Sequence, residues 1–308
     1  MSYNKYYLYK KQVSYDRGTT WEDVTPLETV PSGDSIGTYD TLEECESGYT
    51  PSPSYSGQYF TFEALEDGTF SFISFSNDNI SYSIDSGNTW NTLASNTNSP
   101  TVTAGNKIMW KSTLASVSSS GIGRFTSTGR FNVEGNTMSL LYEDNFENQI
   151  SLSGKTKVFE YLFSTCTGIT SAENLVLPST TLTTDCYHGM FWDCTNLTTA
   201  PVLSATTLGS RCYGRMFMGC TSLTTAPDLP AITLVSDCYE YMFYGCTSLN
   251  YIKCLATNVS GASATEHTEN WLYNVSSTGT FVKNASIPKL NWPSGASGRP
   301  IDWTVQNA

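Results

Sequence analysis

The sequence predicts a mainly β, multidomain protein with a small N-terminal β module, a β-sandwich-like domain, and a short α/β solenoid of repeats with a C-terminal cap. Three observations predict this fold. The second half repeats itself every 26 residues, the stretch before it alternates apolar and polar residues in short runs, and only 14% of the 308 residues are charged. Sparse charge with abundant hydroxyl and aromatic side chains disfavours a helical bundle or a coiled coil.

The charge balance excludes some classes of partner. Acidic residues outnumber basic ones by 28 to 16, giving a net charge of −12 and a pI near 4.5. Phosphate backbones and anionic membrane surfaces repel such a chain, so we expect no nucleic-acid binding. No apolar run reaches the roughly 20 residues of a membrane-spanning helix, and residues 1–10 hold no signal-peptide core. We therefore expect no membrane insertion.

A small module is expected at the N-terminus and a sandwich after it. Residues 1–52 are interpreted as an attachment or oligomerisation module, with the Pro- and Ser-rich residues 51–57 as a linker. Residues 53–150 are interpreted as the β-sandwich-like domain, since alternating runs such as 59–63 and 69–73 are separated by Gly, Asn and Asp clusters. We expect a rigid junction with the repeats near residue 150.

Two turns in this half share the pattern SxDxGxTW, which resembles the Asp-box of sialidase-like and other β proteins. They contain Asp16 with Trp21, and Asp85 with Trp90. The physical interpretation is structural, because Asp accepts backbone N–H bonds, Gly supplies positive φ and Trp packs beneath the turn. A glycan hydrolase with Asp-box turns is a remote alternative. It requires an arginine triad, whereas the Arg residues are scattered, and the acidic pair Glu143 and Asp144 is interpreted as a solvated turn rather than a glycosidase dyad.

A repeat organises the second half. Residues 186–201 recur as 212–227 and, in part, as 238–249, at a period of 26 residues. A diverged earlier copy covers residues 158–169. One copy is too short to bury its own apolar face, so we expect the copies to stack, with atypical copies at the ends.

Each copy divides into two segments. Apolar residues at i, i+4, i+5 and i+8, as from Cys238 to Cys246, predict one face of a short helix or helical turn. The LTTAP segment that follows is β-branched and ends at proline, which predicts a short strand. The residues expected in the shared core are Met190, Phe191, Cys194, Met216, Phe217, Cys220, Met242, Phe243 and Cys246.

Eight of the nine cysteines lie between residues 166 and 254. Stacking places equivalent cysteines in rows, close enough in principle for disulfides or metal sites. Free Cys is among the most buried residue types, CxxC spacing is absent and no set of His residues lies near. We interpret these residues as buried structural thiols, with a disulfide or a metal site as the alternatives, and expect neither metal nor cofactor.

The motif MFxxCTxLTTAP at this period resembles the BspA-like leucine-rich-repeat family of bacterial surface proteins, over roughly residues 151–260. The resemblance implies a leucine-rich-repeat solenoid. Such repeats occur in surface adhesins of gut and oral bacteria, and similar chains occur in phages of gut Bacteroidales, including crAss-like phages. The leader from Tyr7 to Cys45 also resembles modules at the start of such phage and Bacteroidales proteins.

The two settings differ in how the protein reaches a surface. An adhesin must cross a membrane, whereas a virion protein is assembled in the host cytosol, so the lack of a signal-peptide core favours the phage setting. A reducing cytosol also suits many unpaired cysteines. We expect a protein of the virion surface that is made in the bacterial host cytoplasm, with a Bacteroidales cell-surface adhesin as the alternative.

The solenoid is assigned to residues 151–308, with its cap from about residue 255. The cap is expected to hold a helix over residues 264–273 and closing strands over 278–283 and 301–305. Catalytic groups are few, because His188 and His267 are the only histidines. Since Gly214 occupies the position equivalent to His188 in the next copy, we interpret His188 as a surface residue and expect no enzyme.

Binding is the function that this architecture favours, because stacked copies display rows of equivalent side chains on an extended face. One expected row contains Trp192, Met218 and Tyr244, and another contains Thr198, Thr224 and Tyr251. Aromatic side chains on a rigid scaffold suit sugar stacking or protein contact. We expect a head or tail fibre, or another surface appendage, that binds a host-surface glycan or protein. Its N-terminal modules would contact other virion proteins, and it would form a homodimer or homotrimer.

Overall fold

The computed structural model describes residues 58–74, 78–114, 122–259, 266–288 and 292–308, together with the backbone of four short strands near the N-terminus. The chain forms two compact units, Met1–Gly57 and Gln58–Ala308. Asp16, Trp21, Cys45 and the expected linker lie outside the described residues.

The first unit contains an antiparallel four-stranded sheet. Its strands are β1 (Tyr6–Tyr9), β2 (Gln12–Ser14), β3 (Glu22–Asp23) and β4 (Thr38–Tyr39). They lie in the order β3-β2-β1-β4, so the first strand pairs with both β2 and the distant β4.

The second unit begins with two sheets. Its strands are β5 (Phe60–Ala64), β6 (Phe70–Ser74), β7 (Ile80–Ser83), β8 (Asn91–Leu93), β9 (Lys107–Lys111), β10 (Gly123–Ser127), β11 (Phe131–Asn136) and β12 (Ile169–Val176). One sheet has the order β12-β11-β5-β9-β7-β8, and β10 pairs with β6 in the other. In β6 and β9, alternating side chains bury one face of the strand, as the short apolar and polar runs of the sequence predict.

Aromatic rings fill the space between these two sheets. Phe62 of β5 contacts Phe70 of β6 at 5.2 Å and Phe125 of β10 at 5.0 Å between ring centroids. Trp110 of β9 lies 5.1 Å from the same Phe125 ring. Edge-to-face and tilted ring pairs of this kind add to the free energy gained by burying apolar area.

The position near residue 150, where we expected a domain boundary, is crossed by a shared sheet and a shared core. Strands β11 and β12 pair in parallel, with Phe131 opposite Ile169. Phe163 of the first copy contacts Phe60 at 5.9 Å and Phe62 at 5.8 Å. The first copy thus covers an apolar face of the large sheet, and residues 58–308 form one compact unit because neither part buries that face alone.

Of the two forms expected for the first segment of each copy, a short helix or a helical turn, the helix is wrong, because the segment is a series of turns. Alternate N–H groups donate three residues back, as from Gly214 to Arg211 and from Met216 to Tyr213. The intervening N–H groups donate to the next copy, as from Phe217 to Met242. Every fourth residue has positive φ, 53° at Arg211, 56° at Arg215 and 75° at Gly219, and an α-helix cannot contain such residues.

The second segment of the copies is extended but short. Where a short strand was predicted, isolated parallel bridges join Ser171 to Thr199 and Thr225 to Tyr251. Each copy therefore lies next to the following one in chain order, joined by backbone hydrogen bonds in its first segment. Described helix is confined to α1 (Ser139–Tyr142), a 3-10 turn at Glu143–Asn145 and positions 266–267, so the mainly β prediction is confirmed.

The C-terminal end closes with a parallel sheet in the order β13-β14-β15. These strands are β13 (Tyr251–Cys254), β14 (Thr280–Lys283) and β15 (Thr304–Asn307). Of the helix predicted over 264–273, residues 266–267 are helical and the described residues beyond 267 are turns, so that part of the prediction is wrong. There Tyr239 donates to His267 and Phe243 to Trp271, in the bonding pattern between copies. Residues 267–275 are thus a diverged fifth copy of the turn segment, with positive φ at Asn270 and Asn274.

No helix among the described residues is both long enough and apolar enough to cross a lipid bilayer.

Candidate functional site

The most regular surface feature is a row of side chains on the turn segments, which we call the turn row: Trp192, Met218, Tyr244 and Tyr273, preceded in the first copy by the buried Ser164. Backbone bonds hold its members in equivalent places. Thr165 donates to the Trp192 carbonyl at 2.6 Å, and Asp193 donates to the Met218 carbonyl at 2.7 Å. Gly219 then donates to the Tyr244 carbonyl and Gly245 to the Tyr273 carbonyl, both at 2.8 Å. Successive members of the row therefore lie on neighbouring copies.

The members of the turn row from Trp192 onward are only partly covered. Trp192, Met218 and Tyr244 are half-buried, and Tyr273 is 49% exposed. The Tyr244 ring stacks on Tyr273 with centroids 5.0 Å apart, and Trp192 lies 5.8 Å from Tyr161. Sequence reasoning missed Tyr273, although its WLY context aligns with MFY around Tyr244.

Polar contacts position the C-terminal end of this row. The Tyr241 ring lies 5.5 Å from Tyr244, and the Arg215 guanidinium lies 5.2 Å above the Tyr241 ring. The Tyr241 hydroxyl donates to Glu269 Oε1 at 3.2 Å and accepts from Asn270 Nδ2 at 3.2 Å. These contacts restrict the rotamers of Tyr241, so it forms a firm side wall for Tyr244.

The second expected row lies on the extended segments, and we call it the threonine row: Thr198, Thr199, Thr224, Thr225, Asn250 and Tyr251. Its Thr and Asn side chains are exposed, and Tyr251 is half-buried. The Thr198 hydroxyl donates to the Thr170 carbonyl at 3.0 Å. A surface groove of about 480 Å³ lies between the segments around Thr198 and Thr224. The structure thus brings Thr198 and Thr224 to the two walls of one groove.

The residues expected in the core are fully buried. Phe191 stacks on Phe217 at 5.5 Å and Phe217 on Phe243 at 5.5 Å, both within a few degrees of parallel. The Cys220 thiol donates to the Phe191 carbonyl at 3.1 Å, and Cys194 and Cys246 make the equivalent bond one copy earlier and later. All eight cysteines in the described part of the chain are free and buried, and burial raises the pKa of the Cys186 thiol to about 12.

His188 is buried, 7% exposed, so its interpretation as a surface residue is wrong. Its Nδ1 lies 3.5 Å from Glu160 Oε1, and its ring meets the Tyr161 ring edge-on at 5.3 Å. A Cβ on Gly214 would come within 2.9 Å of His188 Cδ2, so the glycine of the next copy makes room for the imidazole. Within the described ranges, no group of three or more His, Cys, Asp or Glu residues is arranged to hold a metal ion.

The described Asp-box is a closed hydrogen-bonded turn. Asp85 Oδ1 accepts from the Thr89 N–H at 2.9 Å, and Oδ2 accepts from the Thr89 hydroxyl at 2.6 Å. The Ser83 hydroxyl also donates to Asp85, and these bonds lower the pKa of its carboxyl to about 2. Gly87 in the turn has φ 85°. A carboxylate engaged in this way is tied to the turn rather than poised for acid–base chemistry.

Trp90 after this turn belongs to a surface cluster that sequence reasoning missed. The Lys111 ammonium lies 4.3 Å from the Trp90 ring and 2.6 Å from Asp144 Oδ1. The Tyr59 hydroxyl donates to the same Asp144 oxygen at 2.7 Å, and burial with the nearby carboxylate raises the pKa of Tyr59 to about 12. The Lys111 ammonium on β9 and the Asp144 carboxylate of the 3-10 turn neutralise each other. Their ion pair joins strand β9 to this turn.

No protein-family model matches the chain, and no match is found among the curated proteins or the solved structures.

Proposed function

We infer that this protein is a non-enzymatic binding protein of a phage virion, a head or tail fibre or another surface appendage. Its repeats would form a leucine-rich-repeat solenoid that displays the turn row to a glycan or protein of the host surface. The N-terminal modules would attach the chain to other virion proteins, and the functional form would be a homodimer or homotrimer. The setting rests on the resemblance of the repeat motif and the leader, and the binding activity rests on the surface geometry.

The turn row is the observation that carries the binding proposal. Trp192, Met218 and Tyr244 are partly exposed on consecutive copies, and backbone bonds between the copies hold their spacing. Stacking of Tyr244 on Tyr273 fixes ring orientation before a ligand arrives. Aromatic side chains that are already ordered lose little entropy on binding, which is the property of binding hot spots.

Binding to cells tests the activity. The full chain, labelled with a fluorophore, is incubated with Bacteroidales cells, and the same measurement is made with Trp192→Ala combined with Tyr244→Ala. We expect about a tenfold loss of affinity, since truncated aromatic hot spots cost one to a few kcal/mol. The matched control is Ile84→Ala combined with Ile301→Ala, which removes two exposed apolar side chains outside the row. Equal loss in both variants, or no binding by the unaltered chain, overturns the proposal.

The virion setting has its own test. Mass spectrometry of purified phage particles, before and after a mild wash, measures the amount of this chain per particle. Stoichiometric retention supports a fibre. Recovery only in bacterial envelope fractions supports the alternative, a cell-surface adhesin. In that case the same rows would be displayed by the bacterium and would bind the bacterium's own target.

A further inference from the structure

The extended segments of the second and third copies are not joined by the backbone bonds that join the neighbouring pairs. Between the first two copies, Thr198 donates to the Thr170 carbonyl and Ala172 to the Thr199 carbonyl, each at 2.9 Å. Between the third and fourth copies, Asn250 donates to the Thr224 carbonyl and Ala226 to the Tyr251 carbonyl, each at 2.9 Å.

The equivalent bonds are missing at the middle junction. Within the described residues, the Thr224 N–H does not reach the Thr198 carbonyl, and the Ala200 N–H does not reach the Thr225 carbonyl. The turn segments of the same two copies remain bonded, as from Phe191 to the Met216 carbonyl at 2.9 Å. The copies are therefore held together along the turns and open along the extended segments.

Prolines lie on both sides of this junction. Pro201 and Pro227 occupy equivalent positions in the second and third copies, where the first and fourth copies carry Glu173 and Lys253. Proline has no N–H and cannot continue a backbone ladder. The middle junction has proline at this position on both edges, whereas the first and third junctions have it on one edge.

The walls of this opening combine neutral polar groups with apolar ones. The groove measures about 480 Å³, within the roughly 300–1,000 Å³ of small-ligand sites. The hydroxyls of Thr224 and Thr225 have no hydrogen-bond partner in the described part of the protein, and both side chains are exposed. Val202, 67% exposed, and the two prolines supply the apolar surface. The carboxylate at the groove, Asp228, is engaged by the Lys253 ammonium at 2.6 Å.

We propose that this groove, formed by residues 198–203 and 224–228, is a subsite for one neutral sugar ring of a surface glycan. The proposal rests on the proposed function and names the chemistry of its ligand. A pyranose presents hydroxyls at its edge, which match the Thr hydroxyls and the unpaired backbone groups. It also presents an apolar C–H face, which matches Val202 and the prolines. Because Asp228 is already neutralised by Lys253, the groove favours an uncharged ligand.

An inserted peptide strand fits the groove less well. A strand between two others requires about twice the 4.8 Å strand spacing, roughly 10 Å between its neighbours. Phe191 and Phe217 of the same two copies stack 5.5 Å apart with planes only 2° from parallel, so the copies diverge little. A single ring lying over the opening needs no such separation.

Titration of the full chain with neutral methyl pyranosides tests the proposal. The panel is the methyl glycosides of glucose, mannose, galactose and N-acetylglucosamine, each measured by saturation-transfer-difference NMR. We expect at least one glycoside to bind. Thr224→Val combined with Thr225→Val is expected to weaken that glycoside about tenfold, since two hydrogen bonds of about 0.5–1.5 kcal/mol each are removed without a change in shape. Thr233→Val, an exposed Thr of the third copy outside the groove, is the matched control and is expected to bind normally.

The outcomes separate this inference from the proposed function. Absence of binding by every glycoside overturns the groove as a sugar subsite, and so does binding that the paired Thr variant leaves unchanged. Loss of glycoside binding in the paired Thr variant but not in Thr233→Val supports it. Cell binding by the full chain, measured in parallel, reports on the proposed function alone. Cell binding without glycoside binding therefore overturns only the groove, and glycoside binding without cell binding overturns only the adhesion.

Discussion

Phe191 and Phe217 are 26 residues apart in the chain, yet their rings stack with centroids 5.5 Å apart and planes 2° apart. Phe163 and Phe243 extend this stack on either side at 5.4 and 5.5 Å. Each ring therefore contacts equivalent rings of both neighbouring copies, and the core of the repeats is a column rather than a set of separate clusters. Removing a middle ring disturbs two junctions at once.

Phe217→Ala is accordingly expected to lower the free energy of unfolding by about 3–5 kcal/mol, the usual cost of deleting a buried aromatic ring. Urea unfolding followed by circular dichroism measures this change. Ile301→Ala removes an exposed side chain and is the control, with an expected change within about 0.5 kcal/mol. A loss below about 1 kcal/mol for Phe217→Ala would contradict the column.

Thr165 shows where the turn segment carries backbone strain. It is exposed, β-branched and at φ 63°, in the position that Gly219 and Gly245 occupy in later copies. We expect Thr165→Gly to raise the free energy of unfolding by about 0.5–1 kcal/mol, because relief of about 1–2 kcal/mol of strain exceeds the added backbone entropy of glycine. Urea titration again provides the measurement.

Thr167→Gly is the matched control for this change. Thr167 is also exposed and lies two residues further on, but its φ is not positive. Glycine there adds entropy to the unfolded chain without relieving strain, so a decrease in the free energy of unfolding is expected. If both substitutions destabilise the protein equally, the strain at Thr165 is refuted.

The thiols of the copies are expected to be unreactive in the folded protein. Burial raises the pKa of Cys220 well above its ordinary value, and that of Cys238 to about 12. Because the thiolate is the nucleophile, Ellman's reagent at pH 8 should detect at most one fast thiol, that of Cys45. In denaturant all nine should react. Fast reaction of two or more thiols in the native protein would argue against buried thiol rows.

Asp85 provides a pH-dependent test of the Asp-box turn. Its carboxyl has a folded pKa of about 2, below the ordinary value of 3.8. The depressed value means that its contribution to stability is present above about pH 4 and is lost as the pH falls through about 2. Carboxyl NMR shifts measure the midpoint directly. Thr89→Val removes the hydroxyl bond and should raise the pKa, whereas a midpoint near 3.8 in the unaltered protein would show that the turn bonds are absent in solution.

Much of the architecture was readable from the sequence because it follows local periodicity. Alternation of apolar residues predicted β5 and β6 to within about one residue. The 26-residue period located the copies and their buried residues. The helix prediction failed because the spacing i, i+4, i+8 belongs equally to a chain that turns through positive φ at every fourth residue. Gly219 and Gly245, recurring at one of those positions, were the signal that distinguishes the two.

Other features depend on neighbours that lie far apart in the chain. His188 is buried because Gly214 in the next copy leaves room for its ring. Tyr273 belongs to the turn row because the backbone hydrogen bonds of residues 267–275 follow the pattern between copies. The sheet that crosses residue 150 likewise depends on the parallel pairing of β11 with β12. No local pattern reports such pairings.

The sequence by itself determined the mainly β class, the number of regular copies and the residues of their shared core, since burial of periodic apolar positions depends only on their spacing. Tertiary structure decided which copies are joined along both segments and which open into a groove. At the middle junction the N–H groups of Ala200 and Thr224 do not reach the carbonyls whose equivalents are bonded at the neighbouring junctions, and such pairing depends on the distance between copies rather than on local sequence. The missing bonds leave backbone N–H and C=O groups unpaired along the groove, because a backbone group is satisfied only when a partner lies within hydrogen-bond distance.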